Sequence, residues 1–407
     1  MISDSPESAF VWAWLPGQTE PVVAGRIDRR LDRYVFGYGT SYLNNPDAVP
    51  IYEPELPLDD FEHEPLDGPL PLCLDDAAPD SWGRSVINAH LGIPGAELDS
   101  LVYLLESGSD RVGAIDFQTS AHEYVPRAPT AAPLDQLLNA ADLIAAGEPI
   151  DPDLAKALVH GTPLGGARPK ALIDDNGKTL LAKFSRSTDT FRWVQAEFVA
   201  MEFARRCGLN VAPVRYTECN DRSVLLVERF DRTPEGGRRR VVSAATILGM
   251  QPLVAARHFS YVELADEIRA RFADSEETLR ELYSRIMFNI CVGNTDDHAR
   301  NHAAFVGDAL ELTPAYDVAP HPRSGETARH PAFGEAADGR DSQIGALVRA
   351  AAIYGLSSAT GQEIADHQVA VIKDGWDEVC DAANLTTAQR AGLMGEGAPI
   401  LNPYAFY

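Results

Sequence analysis

Long hydrophobic runs are absent from this chain of 407 residues. No stretch approaches the roughly 20 consecutive apolar residues that a membrane-spanning helix needs. Residues 1–7 also lack the basic and apolar regions of a secretory signal. We therefore expect a cytoplasmic protein with no membrane partner.

Cysteine is sparse and scattered. The five cysteines are Cys73, Cys207, Cys219, Cys291 and Cys380. No two of them have C-x-x-C spacing and none joins a histidine cluster, which argues against a zinc site. An odd number of dispersed thiols is typical of a reducing compartment, so we interpret each one as a core residue.

Positive charge is also in short supply. The chain carries 35 Lys and Arg against 60 Asp and Glu, a net charge of −25. Such a protein is repelled by phosphate backbones, which argues against unaided binding of nucleic acid. A basic protein partner is easier to accommodate, although the same acidity is common on well-solvated surfaces.

Strand-forming residues dominate the first part of the chain and helical patterns the last. Residues 10–15, 22–27 and 34–38 are predicted strands, and residues 121–134 are a predicted linker. A helix over 190–207 lies among further strands. After residue 231 the pattern is mainly helical, and the clearest helix has an apolar stripe formed by Leu279, Leu282, Tyr283, Ile286, Met287 and Ile290.

This order predicts a two-lobed α+β enzyme with three parts. Residues 1–120 form a β-rich N-terminal subdomain. Residues 121–230 form an N-lobe with a glycine-rich loop and a hinge. Residues 231–407 form an α-helical C-lobe with a catalytic loop and a metal site.

The segment 294–301 (N-T-D-D-H-A-R-N) carries the strongest catalytic signal. Asp296 and Asn301 have the D-x₄-N spacing of the protein-kinase motif H-R-D-x-x-x-x-N, where Asp is the base and Asn binds a metal. Asn294 and Thr295 stand where that motif has H-R, and His298 is a candidate for nearby positive charge. Because D-x₄-N alone is frequent by chance, the assignment depends on the segments that follow.

Asp317 follows a predicted hairpin over residues 304–313. A carboxylate at this place would bind Mg²⁺ between the ATP phosphates, as the Asp of the kinase D-F-G motif does. The alternative is an Asp that caps a turn before Pro320. The neighbouring D-x₄-N segment favours the interpretation of Asp317 as a metal ligand.

Lys183 on a predicted strand and Glu197 on the next helix match the kinase ion pair that holds Lys against the phosphates. An isolated Lys–Glu pair is more often a surface pair of little consequence. Lys178 lies in the preceding turn and is a poorer candidate for phosphate binding.

Residues 161–170 (G-T-P-L-G-G-A-R-P-K) are a candidate phosphate-binding loop. Gly165 and Gly166 allow close backbone approach to phosphates, with Ala167 beside them. The loop matches neither G-x-x-x-x-G-K-[ST] nor G-x-G-x-x-G, and a simple turn is the alternative. Arg168 and Lys170 add positive charge, which favours the functional interpretation.

Residues 227–232 (V-E-R-F-D-R) mark the change from strands to helices. A strand that ends between two lobes leaves backbone groups free to bind an adenine edge. The carbonyl of Glu228 and the amide of Phe230 are the candidates. An ordinary strand end is an equally simple interpretation of these residues alone.

Taken together, these segments resemble the HipA family of toxin serine/threonine kinases from bacterial type II toxin–antitoxin systems. The matching blocks are residues 80–84 (D-S-W-G-R), 110–114 (D-R-V-G-A), 165–170, 227–232, 294–301 and 316–318 (Y-D-V). They occur in family order and span more than half of the chain.

The resemblance implies a two-lobed protein-kinase-like fold with an added β-rich N-terminal subdomain and an all-α C-terminal lobe. It implies ATP and Mg²⁺ as cofactors. By analogy Lys183 holds phosphates, Asp296 is the base, and Asn301 and Asp317 bind metal.

The resemblance also implies partners. Family members phosphorylate protein Ser or Thr, including aminoacyl-tRNA synthetases, which stalls translation and favours persistence. A HipB-like helix-turn-helix antitoxin neutralises them, and the pair binds operator DNA through the antitoxin. One departure concerns the autophosphorylated Ser of the glycine-rich loop, where this chain has Pro163 with Thr162 beside it.

Two alternatives belong to other functional classes. Small-molecule phosphotransferases share the D-x₄-N…D arrangement, but the 165–170 block and the N-terminal β region argue against that class. A catalytically silent, partner-binding regulator is disfavoured by the intact set Lys183, Asp296, Asn301 and Asp317.

Overall fold

The computed structural model describes residues 6–127, 132–148, 150–159, 168–175, 177–322, 327–395 and 397–407. The chain forms two compact units. The first unit comprises Met1–Ser187, Cys219–Arg222 and Glu228–Gln251, and the second Thr188–Glu218, Ser223–Val227 and Pro252–Tyr407. None of the helices in the described part of the chain has the length and apolar character that crossing a membrane requires.

The first unit contains a five-stranded antiparallel sheet. Its strands are β1 (Ser8–Ala13), β2 (Val22–Arg30), β3 (Arg33–Tyr38), β4 (Glu62–His63) and β5 (Ile115–Gln118). They lie in the order β4-β3-β2-β1-β5. The first three strands predicted from the sequence are confirmed, with β1 beginning two residues earlier than expected.

Close strand approach in this sheet depends on Gly25. A Cβ atom added there would lie 2.3 Å from the carbonyl oxygen of Gly37 on β3. Any larger residue would push the two strands apart. One face of the sheet is packed into the core, where Val11, Ile27 and Phe36 are fully buried.

The rest of the first unit consists of short helices and a hairpin. The helices are α1 (Thr40–Leu43), α2 (Leu72–Asp75), α3 (Ser81–His90), α4 (Ser100–Glu106), α5 (Leu134–Ala146), α6 (Pro152–Val159) and α8 (Ala244–Ile247). The strands β6 (Lys170–Asp175) and β7 (Lys178–Phe184) pair antiparallel, with Lys170 opposite Lys183. A short strand, β10, covers Val241–Ser243.

Asp80 joins the start of α3 to the start of β6. One carboxylate oxygen accepts a hydrogen bond from the Gly83 amide at 2.7 Å and so caps the helix. The other oxygen binds the ammonium group of Lys170. The indole of Trp82 donates to the Lys170 carbonyl at 3.2 Å. The block at residues 80–84 therefore anchors the strand that follows the glycine-rich segment.

A buried ion-pair cluster joins the blocks at residues 110–114 and 227–232. Arg229 pairs with Asp231 at 2.7 Å and with Asp110 at 3.1 Å. Arg232 binds both carboxylates, and the Gly113 amide donates to Asp231 at 2.8 Å. Burial alone would raise the pKa of Asp231, but the charges of Arg229 and Arg232 outweigh it and hold the pKa well below its ordinary value.

The second unit is mainly helical. Its helices are α7 (Trp193–Arg206), α9 (Pro252–His258), α10 (Tyr261–Arg271), α11 (Ser275–Val292), α12 (Ile344–Ala350), α13 (Ser358–Asp374), α14 (Trp376–Ala382) and α15 (Thr387–Ala391). Three 3₁₀ turns cover Ala299–Asn301, Ala351–Tyr354 and Pro403–Phe406. Strands β8 (Val214–Cys219) and β9 (Arg222–Glu228) belong to this unit except for Cys219, Arg222 and Glu228. Strands β11 (Ala303–Val306) and β12 (Leu310–Leu312) also belong to it, and their pairing confirms the predicted hairpin.

Replacing Asp231 by Ala should destabilise the protein. The change leaves the buried guanidinium group of Arg229 and the partly buried one of Arg232 without their shared carboxylate, and breaking a buried pair in this way costs about 3–5 kcal/mol. Urea unfolding followed by circular dichroism measures this loss. The matched control is Glu62→Ala, which removes an exposed partner of Arg30 and should cost less than about 1 kcal/mol. Equal losses in the two variants would refute a structural role for the cluster.

Candidate active site

The predicted catalytic loop begins where α11 ends. The apolar stripe predicted for this helix is buried throughout. The helix stops at Gly293, whose φ of +69° is left-handed and favours glycine. A Cβ atom there would also lie 2.7 Å from the Pro399 carbonyl oxygen. The last turn therefore has a fixed end from which residues 294–301 extend.

Asn294 anchors the first residues of the loop. Its backbone amide donates to the Asn289 carbonyl at 2.9 Å, and its side-chain amide donates to Asn289 Oδ1 at 3.0 Å. Only 1% of Asn294 is exposed. Asn294, which precedes Thr295 and Asp296, is thus a buried residue with a structural role.

The two adjacent aspartates of the loop have opposite environments. The side chain of Asp296 is 75% exposed, and its Oδ2 lies 3.6 Å from Nε2 of His321. The side chain of Asp297 is 3% exposed. Asp296 is therefore available to a substrate, whereas Asp297 belongs to the protein interior.

Asp297 accepts hydrogen bonds from three elements. Its Oδ2 accepts from the Tyr261 hydroxyl on α10, from Nδ2 of Asn289 on α11 at 2.8 Å, and from Nε2 of His302 at 2.8 Å. Burial alone would raise the pKa of Asp297, but His302 and the hydrogen bonds outweigh it, so the pKa is lowered. Burial, followed by the charge of Asp297, raises the pKa of Tyr261 well above its ordinary value.

Sequence reasoning did not single out this group of residues. The one available signal was Asn289, a polar residue beside the apolar stripe of α11. No sequence pattern indicated Tyr261 or His302, because their importance depends on contacts with residues distant in the chain. Together they fix the backbone on which Asp296 stands.

His298 has a capping role in the loop. Its Nδ1 accepts a hydrogen bond from the Arg300 amide at 3.3 Å at the start of the 3₁₀ turn. An accepting Nδ1 carries no proton, so this arrangement uses the imidazole as a cap. The hypothesis that His298 supplies positive charge to catalysis stays a prediction.

Asn301 ends the 3₁₀ turn and meets the segment that carries Asp317. It is 9% exposed and lines a small cavity with Tyr316 and Val318. The Tyr316 hydroxyl donates to the Arg300 carbonyl at 2.7 Å. The structure therefore brings Asn301 beside the residues that flank Asp317.

Asp317 itself is half-buried and has a φ of +58°. An L-residue rarely adopts this left-handed conformation, and such strain is concentrated at functional sites. Farther along, the His321 amide donates to the Gly293 carbonyl at 3.0 Å and ties this segment to the end of α11.

The oxygens of Asp317 and Asn301 suit a hard cation such as Mg²⁺. In kinase sites Mg²⁺ takes one or two carboxylates and completes its coordination with water and substrate phosphates. The described ranges hold no cluster of three or more His, Cys, Asp or Glu side chains placed to bind a metal. A carboxylate and an amide are ligand types that Mg²⁺ accepts together with nucleotide phosphates.

The residues predicted to bind nucleotide phosphates lie in different environments. Lys183 is on β7 of the first unit and Glu197 on α7 of the second, and both are buried. Their ion pair stays a prediction. The side chain of Lys178, the poorer candidate for phosphate binding, pairs with Glu228 at 2.9 Å and is 66% exposed.

Lys170 was predicted to add positive charge beside the phosphates, and this role stays a prediction. It is 1% exposed, and its ammonium group is bound to Asp80. Its position indicates an anchor for the end of the glycine-rich segment, with Arg168 half-buried two residues earlier.

Some predicted residues of the glycine-rich segment lie outside the described residues. They are Thr162, Pro163, Gly165, Gly166 and Ala167.

The predicted hinge lies at the end of β9. Glu228 is its last residue, and Phe230 follows as a half-buried side chain. The neighbouring Arg229 and Asp231 belong to the buried ion-pair cluster. The adenine-binding role of the Glu228 carbonyl and the Phe230 amide stays a prediction.

Two family models cover most of the chain. The HipA-like C-terminal domain matches residues 162–376, and the HipA N-terminal domain matches residues 18–118. This protein belongs to the HipA family. The resemblance inferred from the motif blocks is confirmed.

Two relatives match long segments of this HipA family member. The serine/threonine-protein kinase toxin HipA of Shewanella oneidensis is 26% identical over 295 residues, which cover 62% of this chain and 65% of that protein. The match thus spans less than two thirds of that relative. Y4mE of Sinorhizobium fredii, whose name describes it as a candidate kinase, is 26% identical over 325 residues, or 70% of this chain and 71% of that protein.

A solved structure confirms the fold. HipA from Shewanella oneidensis, in a complex of HipA, HipB and operator DNA, superposes with a TM-score of 0.62. It is 18% identical and covers 93% of this chain and 96% of that chain. The predicted kinase-like α+β fold is therefore correct.

Replacing Asp297 by Asn should lower the free energy of unfolding by about 3 kcal/mol at neutral pH, because the buried charge that binds His302 is lost. The folded-state pKa lies below the ordinary 3.8, so this contribution is complete above that value and disappears as the pH falls through the folded-state pKa. Urea unfolding of both proteins between neutral and acidic pH should show the stability gap closing below about pH 4.

The neighbouring change Asp296→Asn is the control. Asp296 is exposed, so its loss should alter the free energy of unfolding by less than about 0.5 kcal/mol. A gap for Asp297→Asn that is absent at neutral pH, or that persists unchanged into acid, would contradict the proposed buried charge.

Proposed function

We propose that this HipA family member is a serine/threonine protein kinase of the cytoplasm that transfers the γ-phosphoryl group of ATP to a cellular protein. The observation that carries the proposal is the exposed Asp296 carboxylate on a loop fixed from behind by Asp297. Asn301 and the strained Asp317 segment lie beside the same loop. These are the parts that phosphoryl transfer requires.

Asp296 acts as the general base in this proposal. Its carboxylate accepts the proton of the substrate hydroxyl. The oxygen of that hydroxyl forms the new bond to the γ-phosphorus. The bond from the γ-phosphorus to the bridging oxygen breaks, and ADP leaves. His321 lies 3.6 Å from Asp296 Oδ2 and is placed to orient the carboxylate.

The remaining residues bind the nucleotide and metal. Asn301 and Asp317 would hold Mg²⁺, which neutralises charge on the phosphates when bound. Lys183, supported by Glu197, would hold the α- and β-phosphates. Gly165, Gly166, Ala167 and Arg168 would contact phosphates through the glycine-rich loop, and Lys170 would position that loop through Asp80. Glu228 and Phe230 would contact the adenine.

We further propose that the kinase is a toxin neutralised by a HipB-like helix-turn-helix antitoxin. The similar HipA structure contains HipB and operator DNA. The net charge of −25 favours a basic protein partner and disfavours direct contact with DNA. Operator DNA would thus be reached through the antitoxin. Aminoacyl-tRNA synthetases are the substrate class that the family resemblance suggests, and Thr162 is the candidate site of autophosphorylation.

Replacing Asp296 by Asn should lower the rate of phosphoryl transfer by about 10²–10⁴-fold, because the general base is lost while the exposed position leaves the fold unchanged. Incubation with ATP and a bacterial lysate, followed by mass spectrometry of phosphorylated peptides, measures the transfer. Asp366→Asn, an exposed change on α13, is the control and should keep full activity.

Expression in bacteria gives a second measurement for the same pair of proteins. The wild type and Asp366→Asn should arrest growth, and co-expression of the proposed helix-turn-helix antitoxin should relieve the arrest. Asp296→Asn should not arrest growth. Toxicity that survives in Asp296→Asn would refute the kinase-toxin proposal.

Replacing Asp317 by Asn should raise the Mg²⁺ concentration that gives half-maximal activity by at least about tenfold, because a charged ligand becomes neutral. A Mg²⁺ titration of phosphoryl transfer at saturating ATP measures the change. Asp308→Asn, in the exposed turn between β11 and β12, is the control. An unchanged Mg²⁺ dependence in Asp317→Asn would exclude Asp317 as a ligand.

A further inference from the structure

Three aromatic rings join the start of α7 to the segment that follows Asp317. The ring of Trp193, the first residue of α7, contacts the imidazole of His321 edge-on, with the ring centroids 4.9 Å apart. Phe191 packs edge-on against Trp193, also at 4.9 Å between centroids. All three side chains are half-buried and lie in the second unit. We call Phe191, Trp193 and His321 the aromatic clamp.

Two hydrogen bonds also hold His321. Its backbone amide donates to the Gly293 carbonyl at 3.0 Å, and its Nδ1 lies 2.9 Å from the Ala319 carbonyl oxygen. A carbonyl oxygen only accepts, so Nδ1 carries a proton and donates it. The other ring nitrogen, Nε2, lies 3.6 Å from Oδ2 of Asp296. The backbone, the ring and Nδ1 are therefore all fixed, and Nε2 is the atom that meets the candidate base.

His321 is better fixed than the carboxylate that it meets. Its side chain is 26% exposed, whereas that of Asp296 is 75% exposed. Among the described residues, His321 is the only one whose side chain pairs with Asp296. An exposed ion pair is usually weak because two mobile side chains must be ordered to form it. Here one partner is already ordered, so the position of Nε2 determines the direction of the carboxylate.

We propose that Trp193 is a positioning residue, which sets the orientation of the Asp296 carboxylate through His321. This inference rests on the proposed kinase activity, in which Asp296 is the general base. With Oδ2 held near Nε2, the second carboxylate oxygen, Oδ1, is the one that meets the substrate hydroxyl. A displacement of about 1 Å at a reacting group can lower a rate by about 100-fold, so loss of the clamp should slow the transfer step.

Replacing Trp193 by Leu in the full chain tests the proposal, because Leu keeps an apolar side chain but removes the ring. The maximal rate of phosphoryl transfer to lysate proteins should fall about tenfold, with an unchanged KM for ATP. Trp193→Phe restores a ring and should keep the rate within about twofold of wild type. The matched control is Trp376→Leu, which removes a ring stacked on Phe203 in the last part of α7 and should not alter the maximal rate.

Substitutions at His321 show whether Trp193 acts through it. Asn can replace the Nδ1 donor but is too short to reach Asp296, whereas the amide nitrogen of Gln can replace Nε2. His321→Asn should therefore lower the maximal rate about as much as Trp193→Leu, and His321→Gln should restore most of it. The double variant Trp193→Leu/His321→Asn should lose no more than either single variant. Losses that multiply to about 100-fold would mean independent effects and would overturn the proposal.

The imidazole ¹⁵N signals of His321 report the same coupling without turnover. Asp296→Asn should shift the Nε2 signal in the otherwise wild-type protein and leave it unshifted in Trp193→Leu. An equal shift in both proteins would overturn the positioning role of Trp193. If the signals respond as expected but the wild type transfers no phosphate, the clamp is established and the proposed kinase activity is rejected.

Discussion

The candidate active site depends on the hydrogen bonds to one buried carboxylate, that of Asp297. Moving an ion out of water costs several kcal/mol unless other groups replace its hydration, and here Tyr261, Asn289 and His302 do so. The donors come from α10, from α11 and from the residue preceding β11, so the carboxylate links three elements. Asp296, the preceding residue, is 75% exposed. The buried carboxylate thus fixes the loop that carries the exposed candidate base.

Ion pairs between distant segments of the chain also hold the first unit together. Several charged residues of the family blocks are bound to each other: Asp80 to Lys170, and Asp110 to Arg229 and Arg232. Each pair joins segments roughly 90 to 120 residues apart in sequence. A charged residue in such a block is therefore as informative about positioning as about ligand binding. Lys170 illustrates this, because its ammonium group is bound to Asp80.

The sequence predicted those features whose causes are local. The apolar stripe of α11, the D-x₄-N spacing of Asp296 and Asn301, and the hairpin before Asp317 each lie within a short stretch, and the structure contains all of them. The contacts of Lys170 and Asp297 were not predicted, because their partners, Asp80 and Tyr261, are distant in the chain. Residue spacing within a window carries no information about such contacts.

The backbone conformation of Asp317 is a second observation, independent of residue spacing, that bears on cation binding. At a φ of +58° a glycine would be less strained than an L-residue, which pays roughly 1–2 kcal/mol there. Glycine has no carboxylate, however, and Asn, which tolerates this conformation similarly, has no negative charge. A charged side chain in this left-handed backbone beside Asn301 supports the proposal that the carboxylate binds a cation.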